Sequence, residues 1–189
     1  MNVDEEKKKV VYIPAGSAVT SYARNFTIKA AQANYYGKNK PGFIYADTDS
    51  IHCNLQPDQI KGITVHDKNF CCWKLEACWD KAIFARQKTY IEHVTHENLQ
   101  QISNPYYNVK CAGMPDRCKE LFIDSLTNNI RKDYKYTNDE LEFINTKREL
   151  EDFKVGLIVP GSLKPKRIPG GIVLTNGYYE MRPNNSILN

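Results

Sequence analysis

Two short β-prone runs, Gly42-Phe43-Ile44-Tyr45-Ala46 and Ser50-Ile51-His52-Cys53-Asn54-Leu55, are separated only by Asp47-Thr48-Asp49. A parallel pair would need a crossover of a dozen or more residues, so these runs can pair only as an antiparallel hairpin with the aspartates at its tip. Ahead of them, Val19, Tyr22, Ala23, Phe26, Ala30 and Ala33 recur at steps of three and four between Pro14 and Gly37. That spacing predicts one face of a helix, with Ser17 suited to its start and Gly37 to its end. The alanines allow close approach to a sheet. A packing helix on an antiparallel sheet is the α+β class.

The remaining chain extends this reading. Asn69–Ala85 mixes aromatic, cysteine and charged residues and is expected to combine strand and helix, and Arg86–Ile91 reads as a further strand. Composition turns polar around Asn98–Pro105, which suggests a boundary between a first part, 1–104, and a smaller, more helical second part, 105–189. Helical character follows in Pro115–Leu126 and Asn138–Phe153, then a basic, Pro- and Gly-punctuated loop from Lys164 leads into a strand ending near Leu174.

Composition narrows the function classes. The 189 residues carry a formal charge of +4, with 41% hydrophobic and 25% charged residues, the balance of a globular protein rather than of a disordered or collagen-like one. No apolar run reaches the roughly 18–20 residues that cross a bilayer, and Met1–Lys9 lacks the apolar stretch of a signal peptide, so a cytoplasmic location is expected. The six cysteines, Cys53, Cys71, Cys72, Cys78, Cys111 and Cys118, form no CxxC pair and read as reduced thiols. His52 beside Cys53, and His93 with His96, could in principle ligate a metal, but a histidine outside a ligand cluster is more often a surface or packing residue, and nothing marks one cysteine as an activated nucleophile.

Asp47 and Asp49 carry the strongest chemical signal. Two carboxylates one residue apart repel, and each raises the other's proton affinity, so a cation between them is favoured. Magnesium suits the position, because it takes one or two protein carboxylates together with waters and substrate phosphates. A polar turn without ligand is the alternative reading of the same three residues.

The wider context changes the balance. Tyr45-Ala46-Asp47-Thr48-Asp49-Ser50, on an apolar strand behind an alanine-rich helix, resembles motif C of the family B DNA polymerases, written Y-x-D-T-D-S. Lys88-Thr89-Tyr90 is similar to the family's K-x-Y pattern. Val109-Lys110-Cys111-Ala112-Gly113-Met114, Phe153-Lys154-Val155-Gly156 and Pro169-Gly170-Gly171-Ile172-Val173-Leu174 resemble the thumb of the protein-primed bacteriophage subgroup, in the same order along the chain.

The resemblance implies a partial palm, over 1–104, and a small thumb-like subdomain, over 105–189. It implies template-directed nucleotidyl transfer by two magnesium ions, bound in the complete polymerase and only weakly or not at all by this chain alone, with Asp49 as principal metal ligand and Asp47 in support, Tyr45 and Thr48 shaping the hairpin, and Lys88 and Tyr90 holding the primer end. Lys164, Lys166 and Arg167 would meet DNA phosphates without reading base sequence. Primer-template DNA and deoxynucleoside triphosphates are the implied partners, in the cytoplasm of a bacterial host if the chain is phage- or prophage-encoded.

Motif A, D-x-x-S-L-Y-P, and motif B, K-x-x-x-N-S-x-Y-G, do not occur in these 189 residues, nor do the carboxylate motifs of the proofreading exonuclease. The expectation is therefore the C-terminal third of a polymerase, inactive alone and prone to self-association, which a second polypeptide with the missing motifs would complete. A non-catalytic, DNA-binding palm-thumb remnant remains open beside it, as does an unrelated metal-dependent phosphotransferase.

Overall fold

A computed structural model describes residues 12–183, which fall into two compact units, Met1–Leu75 and Glu76–Asn189. In the first unit α1 spans Ile13–Ala33, with Pro14 in its first turn and no side chain capping its start. Ser17 is thus an interior residue of the helix, and Asn34, ahead of Gly37, ends it. The hairpin strands β1 (Phe43–Asp47) and β2 (Ser50–Cys53) pair antiparallel, with Asp47 opposite Ser50, and leave Thr48 and Asp49 as the turn.

The packed face of α1 differs from the expected one. Thr27, Ala30 and Asn34 are buried, whereas Val19 and Tyr22 are exposed. The reason is what lies opposite: the hairpin meets the helix at Thr27 and at Asn34, while Phe26 of the expected stripe stacks on Trp73 at 5.3 Å. Asn34 makes the join: its backbone oxygen accepts from the Phe43 amide of β1 at 2.8 Å, while its side-chain amide donates to the Ala30 and Lys61 carbonyls at 2.8 and 2.9 Å and its side-chain oxygen accepts from the Lys61 amide at 2.8 Å.

Gly42 lets the hairpin approach this helix end. Its φ is +149°, and a Cβ there would sit 2.3 Å from the Asn34 backbone oxygen. Backbone cannot swing aside as a side-chain end can. Gly42→Ala is expected to cost about 1–3 kcal/mol, the range for overfilling a packed site, and to lower the chemical-denaturation midpoint followed by far-UV circular dichroism.

The second unit opens with β3 (Ala77–Arg86), β4 (Thr89–Glu97) and β5 (Gln100–Cys111), an antiparallel sheet with β4 in the middle. Three expectations change here. Residues 69–76 contain no helix and lead directly into β3. The single strand expected over Arg86–Ile91 is the end of β3, a tight turn at Gln87-Lys88 and the start of β4; Lys88 takes φ +55° without the glycine or asparagine that usually marks such a turn.

The polar stretch 98–105 is the β4–β5 turn and the first half of β5, and β5 hydrogen-bonds to β4 on both sides of residue 104, so the compact units divide at Leu75/Glu76. Pro105 is accommodated because β5 is an edge strand whose register shifts there.

Beyond the sheet come α2 (Asp116–Thr127) and α3 (Asn138–Asn145), then a long hairpin of β6 (Ile158–Ile168) and β7 (Gly171–Glu180). Thr137 and Glu140 form a reciprocal capping box at the start of α3. This helix ends well short of Phe153, because residues 150–152 form a separate single turn instead. The basic segment expected as a loop is strand β6, with only its end at the turn. Ile91 and Val109 of the sheet, Leu121 and Phe122 of α2, Ile144 of α3, Phe153 and Val159 form one buried cluster.

Arg117 and Glu140 tie α2 to α3 through a bond of 3.1 Å, with the guanidinium centred 3.5 Å from the Tyr134 ring. Burial pushes the Glu140 carboxyl up, but the bonds from Arg117 and Thr137 outweigh it and hold the group below its ordinary value. A carboxylate depressed in the folded state contributes stability above its unfolded value, about 4.3, and that contribution fades as pH falls through the folded one. Glu140→Gln is expected to lower stability at neutral pH and to flatten its decline in acid, as read from urea midpoints at pH 7 and pH 4.

Candidate active site

The turn at residues 47–49 is held by short bonds. The Asp49 amide donates to the Asp47 carbonyl at 2.6 Å, the i to i+2 bond of a γ-turn, and the Ser50 hydroxyl donates to the same carbonyl at 3.1 Å. Thr48 donates its hydroxyl to Asp47 Oδ1 at 3.1 Å while its own φ is +48°. That left-handed conformation is rare for a β-branched residue and costs roughly 1–2 kcal/mol. Helix α1 reaches the same turn, since Thr27 Oγ1 donates to the Thr48 carbonyl at 3.1 Å.

The consequence is two carboxylates at one hairpin end, with Asp49 exposed and Asp47 half-buried. Tyr45, two residues back along β1, is half-buried, its ring 5.6 Å from that of His52 across the hairpin. Among the described residues no group of three or more His, Cys, Asp or Glu is placed to hold a metal. Two carboxylates are nonetheless a donor set that magnesium accepts, because it fills the rest of its shell with water and phosphate oxygens. His93 Nδ1 lies 2.6 Å from Asp80 and His96 Nδ1 2.9 Å from Thr95 Oγ1. The described cysteines are free thiols, and burial raises Cys53 and Cys78 and pushes Cys118 up to about 11, the opposite of an activated nucleophile.

The expected DNA-contacting residues all lie in the second unit. Lys88 is exposed in the β3–β4 turn, its carbonyl accepting from the Ala112 amide at 2.9 Å. Tyr90, next along β4, has its ring 5.4 Å from Phe84 and stands directly across from Lys110 of β5. On β6, Lys164 and Lys166 share one face of the hairpin opposite Thr175 and Val173, while Arg167 falls on the other face opposite Ile172. All three are exposed. The strand therefore divides the basic cluster that the sequence shows as one.

No protein-family model matches the chain. Similarity to individual proteins is extensive: the DNA polymerase of Bacillus phage phi29 is 33% identical over 190 residues, and that of Streptococcus phage Cp-1 is 30% identical over 187. The chain is a relative of part of the phi29-type DNA polymerases. These matches cover 95% and 99% of the chain but only 28% and 26% of the phage proteins, so it spans little more than a quarter of their length.

Solved phi29 DNA polymerase structures agree. The orthorhombic crystal form matches with a TM-score of 0.62 at 31% identity, over 93% of this chain and 27% of that one. The ternary complex with primer-template DNA and incoming nucleotide matches with a TM-score of 0.60, also at 31% identity, over 90% and 26%.

Two residues stand out that the Y-x-D-T-D-S and K-x-Y patterns do not contain. Thr27 touches the turn from α1, and Lys110 adds a cation across from Tyr90. Lys110 lies in a stretch resembling the family, yet only strand register puts it beside the K-x-Y pattern. Thr27 lacks any such signal, because a threonine inside an alanine-rich helix reads as packing.

Proposed function

We propose that the chain supplies the motif C carboxylates, the primer-end contacts and the thumb-like hairpin of a DNA-directed DNA polymerase. The observation that carries this reading is the Asp47-Thr48-Asp49 turn at a hairpin tip, within a chain similar along nearly its whole length to phage DNA polymerases. The portion corresponds to the C-terminal palm and thumb. In this reading the palm part is 1–104 and the thumb-like part 105–189, with β5 running across that boundary.

In this reading Asp49 is the principal ligand of the two magnesium ions and Asp47 supports it. When bound, the metals supply the Lewis acid that activates the attacking 3′ oxygen and eases departure of pyrophosphate. Tyr45 and Thr48 keep the tip in shape. Lys88 and Tyr90 hold the primer end, and Lys164, Lys166 and Arg167 meet backbone phosphates. Primer-template DNA and deoxynucleoside triphosphates are the substrates, by analogy with the primer-template DNA and incoming nucleotides held in the phi29 ternary complex.

These 189 residues contain neither motif A nor motif B. The chain alone is therefore expected to lack nucleotidyl-transfer activity and to need a second polypeptide bearing those motifs and the exonuclease. Work in the cytoplasm of a bacterial host fits this role, and no described helix is long and apolar enough to cross a membrane. Among the described residues the β1–β2 sheet has only two strands, a short sheet that a further strand could extend, so self-association is expected until such a partner binds. Templated primer extension by the chain with and without that partner, under magnesium and all four deoxynucleotides, is the test.

A further inference from the structure

We infer that Thr27 is a positioning residue that aims Asp49 by clamping the turn from outside the hairpin; this rests on the metal-binding reading of that turn. The described helix threonines offer a comparison within the same chain. Thr20 and Thr127 satisfy their hydroxyls on carbonyls of their own helices, and Thr146, just past the end of α3, does so on Glu142. Thr27 does not stop there. Its hydroxyl proton is shared between Ala23 O at 3.3 Å, in the helix, and Thr48 O at 3.1 Å, twenty-one residues along the chain.

The target of that bond matters. The direction of the Thr48 carbonyl sets the orientation of the peptide plane joining Thr48 to Asp49, so a donor fixed on that oxygen also fixes where the Asp49 side chain starts. Thr48 is β-branched at φ +48°, a conformation that persists only when the surroundings over-determine it. Inside the hairpin, the bonds described for the turn all run to Asp47. Thr27, buried on a helix that packs against the hairpin, is the rigid external hold.

Substitution separates this role from packing. Thr27→Val keeps the shape and removes the hydroxyl, whereas Thr27→Ser keeps the hydroxyl and removes the methyl. The full chain is followed by two readouts, the hydrogen-exchange rate of the Asp49 amide and the Mn2+ affinity measured by paramagnetic broadening. Thr27→Val should speed Asp49 exchange about fivefold, the scale of one lost net hydrogen bond, and weaken Mn2+ binding by a similar factor. Thr27→Ser should restore both towards wild type.

Asp49→Asn should abolish Mn2+ binding and so shows separately whether the turn is the metal site. Wild-type exchange and Mn2+ affinity in Thr27→Val, or a larger defect in Thr27→Ser than in Thr27→Val, would overturn the positioning role. Faster exchange in Thr27→Val with no Mn2+ binding by the wild type, alone or mixed with the polypeptide that carries motif A, would overturn the metal reading of the turn and, with it, the role of Thr27 toward that metal.

Discussion

Mixing the chain with a polypeptide that carries the exonuclease, motif A and motif B regions is expected to produce templated primer extension, and Asp49→Asn in the mixture is expected to abolish it. The scale is at least about a thousandfold, because removing one preorganised electrostatic partner of a transition state already costs 10²–10³. The chain alone should give no extension. Its carboxylates come from a single turn, and it lacks the motif B lysine that the family uses to hold the incoming triphosphate.

Two further substitutions divide the remaining roles. Lys88→Ala should raise the primer concentration needed for half-maximal rate. Lys166→Ala should weaken DNA binding uniformly across sequences and reduce the salt slope by about 1, as a lost phosphate contact does. Sedimentation should show self-associated chain alone and a one-to-one complex after mixing. Extension by the unmixed chain would contradict the incompleteness argument, and a mixture that binds DNA without extending it would favour the non-catalytic remnant.

Phe122→Ala is expected to have the largest effect on stability. Phe122 and Phe153 are fully buried with ring centroids 5.4 Å apart, and they join α2 to the segment leading into β6. Truncating such a ring costs about 3–5 kcal/mol through lost burial and the cavity left behind. A domain of this size has only about 5–15 kcal/mol in total. A large drop in the urea midpoint should follow, while Phe122→Leu, which nearly conserves volume, should lose much less. Equal midpoints for Phe122→Ala and wild type would mean that the cluster contributes far less than its burial implies.

How much of this was legible in the residues follows from the range of the interactions. The β1–β2 hairpin was, because alternation and turn chemistry act over a few neighbours, and so was the start of α2. The packed face of α1 was not. Its apolar stripe at Val19, Tyr22 and Phe26 is real, but burial is decided by what lies opposite, and the short hairpin meets Thr27 and Asn34 instead. The strand character of Lys164–Ile168 was hidden by Pro165 and Pro169, which read as loop unless a two-stranded sheet with open edges tolerates them. The place of Asp47 and Asp49 at the hairpin end could be read directly from the residues. Thr27 and Lys110 could not, because each gains its place only through tertiary packing or cross-strand register.

The β6–β7 hairpin behaves mechanically as a cantilever. Its root is clamped, with Val159 and Met181 fully buried and the Met181 amide and carbonyl bonded to Leu157 and Gly156 at 2.8 Å each. Beyond Ser162 the described residues on both strands are largely exposed. At about 3.3 Å per residue, the free arm from Ser162 to Ile168 is some 20 Å long. For a beam fixed at one end, deflection grows with the cube of length, so a given sideways force moves Arg167 far more than Lys164. Lys164 is further stiffened by its stem lying against Gly177. Cations spaced along this arm thus differ in compliance as well as position: the inner one is tied to the frame of the core, and the outer ones can follow a moving load without disturbing it.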